Sequence, residues 1–99
     1  MIKPTVGRVV LFHPYATDTS HAQIGEEPHA ALIAAVWSDT CINIAAFDAN
    51  GVAYAQTFVL LWQEGNLKPD SGYAEWMGYQ IGQAKKHGEF SIGDAQRTV

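Results

Sequence analysis

Apolar and polar positions alternate through most of this chain. Where the alternation stops, the sequence turns to glycine, proline, asparagine and aspartate. Residues 6–13, VGRVVLFH, are β-branched and aromatic between Pro4 and Pro14, which predicts a first strand. HAALIAAVW (29–37) and CINIAAF (41–47), separated by a short SDT turn, predict two more. In the second of these, Ile42, Ile44 and Ala46 share one face, and Cys41, Asn43, Ala45 and Phe47 the other. DANG (48–51) signals a tight hairpin, because Asn50-Gly51 suits positive φ angles. VAYAQTFVLLW (52–62) sets Val52, Tyr54, Gln56, Phe58, Leu60 and Trp62 against Ala53, Ala55, Thr57, Val59 and Leu61. Both faces are apolar towards its end, so this strand is expected to be covered on both sides there. The alanine-rich residues 30–35 favour helix by propensity, but turn signals recurring roughly every 10 to 12 residues are strand spacing.

Two segments interrupt the pattern. Residues 14–28, PYATDTSHAQIGEEP, form a loop long enough to suggest function or mobility. QEGNLKPDSG (63–72) reads as a polar linker into a helical stripe of Tyr73, Trp76, Met77, Gln80 and Ala84 within residues 73–87. Gly78 and Gly82 each weaken such a helix by about 1 kcal/mol relative to alanine, so it should be short or broken, with Gly88 as a stop. EFSIGDAQRTV has little core-forming pattern. Residues 1–84 are thus expected to form one domain, and 85–99 a helix end and flexible tail. A meander of four or five short strands must protect its edges, and curling into a small barrel does so. The prediction is a mainly β, SH3-like barrel with a short C-terminal helix, an OB-like barrel being the alternative.

Composition narrows the setting. At 99 residues the chain makes a single domain, burying only about 60–65% of its unfolded surface. A hydrophobic content of 47% with 16% charge is that of a globular protein. The one cysteine, Cys41, excludes an intramolecular disulfide and fits a reducing compartment. No apolar run approaches the roughly 18 residues of a membrane span, and MIKPTVGRVV lacks a signal peptide's apolar block. A soluble, intracellular protein is expected. The net charge is −4: residues 1–84 carry −5 and the last 15 carry +1. An acidic body repels phosphate backbones, which argues against non-specific nucleic-acid binding.

Candidate chemistry is sparse. His13, His21 and His29 are spaced eight apart, with Glu26 and Glu27 beside the third, but no compact ligand pair such as HxH exists. They read as strand ends and a solvated loop residue, and no metal is assigned. Cys41 and Ser38 lack a glycine elbow or a local base, and Cys41 reads as a small core residue. Glu75 and Asp39 would make a carboxylate pair only if the fold joined them. Phosphate-loop and dinucleotide fingerprints are missing, so no enzyme, cofactor or catalytic residue is assigned.

Aromatics are the stronger lead. Trp37, Trp62 and Trp76 read first as core and caps of the barrel. The alternative is a pocket where rings stack on a flat ligand, a contact worth roughly 1–3 kcal/mol per base. Arg8, Asn43, Gln56 and Gln80 offer polar groups for it. Arg8, His29, Tyr73, Trp76, Tyr79 and Gln80 are the residues expected to meet such a ligand. Lys85-Lys86 reads as a solvated helix end. So small a barrel has little room for a deep pocket, so a homo-oligomer is expected, with the 73–79 strip and loop 14–28 walling a subunit interface.

The blocks KPTVGRVVLFHP, AAVWSD with FDANG, and GYAEWMGYQIGQA together resemble a family of short proteins of tailed bacteriophages and prophages. The matching blocks span residues 3–14, 30–51 and 72–84. That family's last block commonly reads EWMPYQKGQ, so Gly78 and Ile81 stand here in place of a proline and a lysine. The resemblance implies expression in the cytoplasm of an infected bacterial host and transfers no activity. Three roles follow as expectations. The first is a non-enzymatic decoy that sequesters a nucleotide-derived signal of anti-phage immunity. The second is an adaptor or inhibitor binding a host protein, and the third a minor virion or assembly component.

Overall fold

The computed structural model describes residues 1–86. Five strands, β1 (Val9–His13), β2 (His29–Ser38), β3 (Cys41–Phe47), β4 (Ala53–Trp62) and β5 (Tyr73–Glu75), precede one helix, α1 (Gly78–Lys86). They close in the order β1-β2-β3-β4-β5 into a barrel. Every consecutive pair up to β4 is antiparallel; β5 then runs parallel to β4 and antiparallel to β1. This is a mainly β, SH3-like meander. The OB-like alternative falls, because that barrel is a Greek key and here only the closing β1–β5 pair joins non-consecutive strands.

Alternation explains the core. Val10 and Phe12 of β1, Ala31 and Ile33 of β2, Ile42, Ile44 and Ala46 of β3, and Val59 and Leu61 of β4 point inward and are buried. They face one another through register pairs such as Val10↔Ala31 and Ile42↔Val59. Burying each of the larger of these, the Val, Ile, Leu and Phe side chains, contributes roughly 1.5–3 kcal/mol.

Three expected boundaries need correction. β1 starts at Val9, not Val6, because the Arg8 N–H bonds to the Thr5 carbonyl (3.3 Å) and Gly7 takes a φ of 92°, folding residues 5–8 into a turn. The β3–β4 connection is wider than a two-residue turn. Residues 48–52 are organised by Asp48, whose Oδ1 accepts from the N–H groups of Asn50 and Val52, both at 2.9 Å.

The largest correction falls on 73–87. Tyr73–Glu75 is a strand: Ala74 is fully buried and sits between Phe12 of β1 and Leu61 of β4. Pairing on both sides outweighs the helical stripe. Just before it, Gly72 bonds through its N–H to the His13 carbonyl (2.8 Å) at a φ of 72°, and a Cβ there would overlap the Tyr15 ring. The helix begins only at Gly78. Its third residue, Gln80, accepts the Met77 N–H at Oε1 (2.7 Å), as in a capping box. From Nε2 it donates to the Val9 carbonyl (3.0 Å), tying α1 to β1. The expected stop at Gly88 and the tail of residues 89–99 lie outside the described residues, as does His87. No described helix is long and apolar enough to cross a membrane.

Candidate functional site

The outward positions of β2, β3 and β4 form the most unusual surface of the molecule. An antiparallel sheet with one face on its core ordinarily presents polar side chains on the other. Here those positions are Ala30, Leu32, Ala34, Trp37, Cys41, Asn43, Ala45, Phe47, Ala53, Ala55, Thr57, Phe58 and Leu60, and β1 adds Val9 and Leu11 alongside. None of them is charged. The expectation that β4 is covered on both sides near its end fails within the described chain, because Phe58 and Leu60 are exposed.

One end of this face is built around Asn43. The register of β3 with β4 slips between Ile42 and Ile44, so Thr57 and Phe58 together lie opposite Asn43. The register of β2 with β3 slips twice nearby, between Ile33/Ala35 and between Val36/Ser38. These bulges twist the strands and re-aim side chains. Phe58 is held at a φ of 54°, a conformation costing a bulky residue about 1–3 kcal/mol. Asn43 supports it: Oδ1 accepts the Phe58 N–H at 2.9 Å and the Trp37 indole N–H at 2.9 Å. The Trp37 and Phe58 rings stack with centroids 5.1 Å apart and planes 17° apart, yet are 58% and 66% exposed. Trp37 is therefore no core or cap residue. Cys41, expected in the core, lies half-buried on the same outer face.

The residues expected to meet a flat ligand divide among three places. Arg8 stacks over the Trp76 ring (4.8 Å to the centroid), and Gln80 and exposed Tyr79 follow at the start of α1. Trp76 itself is buried, the packed lid of one barrel end. Its indole N–H donates to Gln63 Oε1 at 3.3 Å, and the cavity beside it holds only about 40 Å³. Tyr73 lies elsewhere, on the outer side of β5, stacked on His13 at 4.6 Å. Burial pushes its phenol upward in pKa, with the Glu75 charge adding to the effect. His29 is at the opposite end of β1 from Arg8, paired with Phe12. Gln56, opposite Ile44, does not join Arg8 and Gln80; Asn43 belongs to the Trp37–Phe58 end.

His13 is held apart from the other two histidines, which share Tyr54. His13 Nε2 meets Glu75 Oε2 at 2.5 Å, and Lys68 reaches the other oxygen of Glu75 at 3.1 Å while lying over Trp62. Asp39 faces Lys3 at 3.8 Å and does not pair with Glu75. His21 stacks on Tyr54 at 3.7 Å and donates from Nδ1 to Asp18 (2.9 Å). That bond, with those from Ser20, pulls the Asp18 carboxyl down to about 2. His29 donates from Nε2 to the Ala22 carbonyl (2.9 Å), and the Tyr54 hydroxyl donates to its Nδ1 (2.6 Å). Burial, reinforced by the charges of Asp18 and Asp48, pushes the Tyr54 phenol up to about 12. Among the described residues, no group of three or more His, Cys, Asp or Glu could hold a metal ion. The long loop is thus pinned to the barrel by its own polar contacts.

Two clefts flank that loop. One of about 350 Å³ is lined by His13, Gln23, Glu26 and Asp70 among others; the other, about 270 Å³, runs past Ile24, Glu27 and Phe47. Both are near the lower bound of small-molecule sites, and both carry carboxylates.

No family model, curated protein or solved structure matches the chain. The outer face of β2–β4 was beyond the site residues expected from sequence. Its one sequence signal is that residues 29–38, 41–47 and 53–62 contain no Asp, Glu, Lys or Arg.

Proposed function

We propose that this protein is a non-enzymatic protein-binding module that works through the outer face of β2–β4. The observation that carries the reading is the exposed, stacked Trp37–Phe58 pair at the end of a charge-free sheet face. Contiguous apolar surface of this kind marks association sites. Tryptophan and phenylalanine are enriched at protein interfaces, where charged residues are depleted. The strain at Phe58 supports the same reading, since backbone outliers cluster where structure is held for use.

Of the three expected roles, the nucleotide decoy is the one this face supports least. A nucleotide decoy would need a lining that neutralises phosphate. The larger cleft instead presents Glu26 and Asp70, and Lys68 is engaged by Glu75.

The test places a photo-crosslinking amino acid at Thr57, on the face, and at Gln83, on α1, in separate full-length chains expressed in bacteria. Protein crosslinks from position 57 and none from 83 are expected. Silence at position 57, combined with thermal stabilisation by a cyclic dinucleotide, would replace this reading with the decoy. One ligand at 100 times its dissociation constant adds about 2.7 kcal/mol.

A further inference from the structure

The occupant of this face follows from its chemistry. We infer that the charge-free outer surface of β2–β4 packs against the same surface of a second copy of this chain, forming a two-fold homodimer. The inference rests on the protein-binding reading and names its partner. The face is distinct from loop 14–28 and the 73–79 strip.

Charge is the first argument. The chain carries −4 overall, so two copies meet with least repulsion through a face that keeps their charges away from the contact. In a two-fold interface residues near the axis meet their own equivalents, which sets like charges opposite one another wherever the axis crosses a charged patch. This face has none to oppose. A different partner would gain steering and specificity from complementary charges, and the surface offers no such handle.

Area is the second. Val9, Leu32, Trp37, Phe47, Phe58 and Leu60 are each more than a third exposed. Together they present on the order of 500 Å² of apolar surface, before any alanine is counted. A standard interface buries about 800 Å² per partner, of which roughly 60% is apolar. The quantities agree.

Shape is the third. Leu32, Ala45 and Ala55 lie in one row across β2, β3 and β4 through the pairs Leu32↔Ala45 and Ala45↔Ala55. The short side chains of Ala45 and Ala55 stand lower than the stacked Trp37–Phe58 pair beside them. Two such surfaces, turned about a two-fold axis, seat each Trp37–Phe58 pair over the other's alanines, with sheets near the usual spacing of about 10 Å.

Sedimentation equilibrium on the full chain across the micromolar range tests this. Wild type is expected at twice the chain mass. Ala55→Glu, at an exposed position in regular strand, is expected to sediment as a monomer with an unchanged circular dichroism spectrum. Trp37→Ala removes the stacked pair without adding charge and is expected to raise the dimer dissociation constant at least tenfold, which keeps the test decisive should Ala55→Glu misfold. A monomeric wild type, or a dimer indifferent to both substitutions, overturns the inference. If the chain is monomeric but position 57 crosslinks to another protein, the dimer falls while the binding reading stands; monomer with no crosslink removes both.

Discussion

Replacing Gln63 by leucine should be among the most damaging single changes outside the apolar core. Gln63 is 2% exposed, and its side chain makes four hydrogen bonds to three residues from elsewhere in the chain. Nε2 donates to the carbonyls of Ile2 (2.8 Å) and Asp39 (3.0 Å). Oε1 accepts from the Ile2 N–H (3.2 Å) and the Trp76 indole N–H (3.3 Å). One amide therefore ties the N-terminal segment, the β2–β3 turn and the lid to the end of β4. Leucine keeps the volume and removes every bond. The buried Trp76 N–H is then orphaned at about 1–3 kcal/mol, and the three remaining bonds lose about 0.5–1.5 kcal/mol each, less whatever Ile2 recovers from water. The expected loss is roughly 3–5 kcal/mol, a large share of the 5–15 kcal/mol typical of a domain. Urea denaturation followed by tryptophan fluorescence measures it. Thermal melts should agree, at roughly 4–8 °C per kcal/mol for this size. A loss below about 1 kcal/mol would refute the claim that this amide joins the three segments.

Three further expectations concern acid and backbone conformation. The Asp18 carboxyl is lowered from 3.8 to about 2, chiefly by His21, so its contribution is present above 3.8 and lost as pH falls towards 2. Thermal melts of Asp18→Asn should therefore show a flatter decline than wild type through that window; parallel declines would refute the pairing. Gly72→Ala should destabilise by about 1–2 kcal/mol, because φ is +72° and the new methyl meets Tyr15. Gly82→Ala, inside α1 with nothing within 4 Å, should instead stabilise by up to about 1 kcal/mol in the same urea assay.

The regular parts of the fold were legible in sequence for identifiable reasons. The bounds of β3, Cys41–Phe47, match the expectation because a turn brackets the alternation on each side. β5 was not legible: three residues are too few to show a period of two, and Trp76 and Gln80 satisfy a helical spacing that begins only at Gly78. The candidate face was hidden by parity. Strict alternation places Phe58 with Tyr54 and Gln56, but the bulge at Thr57–Phe58 shifts the count by one, so Val59 and Leu61 turn inward and Phe58 faces outward. Nothing local to TF announces that slip. Gln63 looks like linker in the sequence for the opposite reason, since its partners at Ile2 and Asp39 are 61 and 24 residues away.

β5 also has a consequence for how the molecule is made. When a ribosome has released Trp62, the four-strand meander can already pair by neighbours, but both its outer rims still lack the three residues that join them. Thirteen more residues must emerge before Glu75 arrives. At roughly 5–20 residues per second that interval is on the order of one second. For that second a nascent chain displays two open strand rims together with a greasy sheet surface, so synthesis on crowded polysomes is when it is most exposed to pairing with the wrong neighbour.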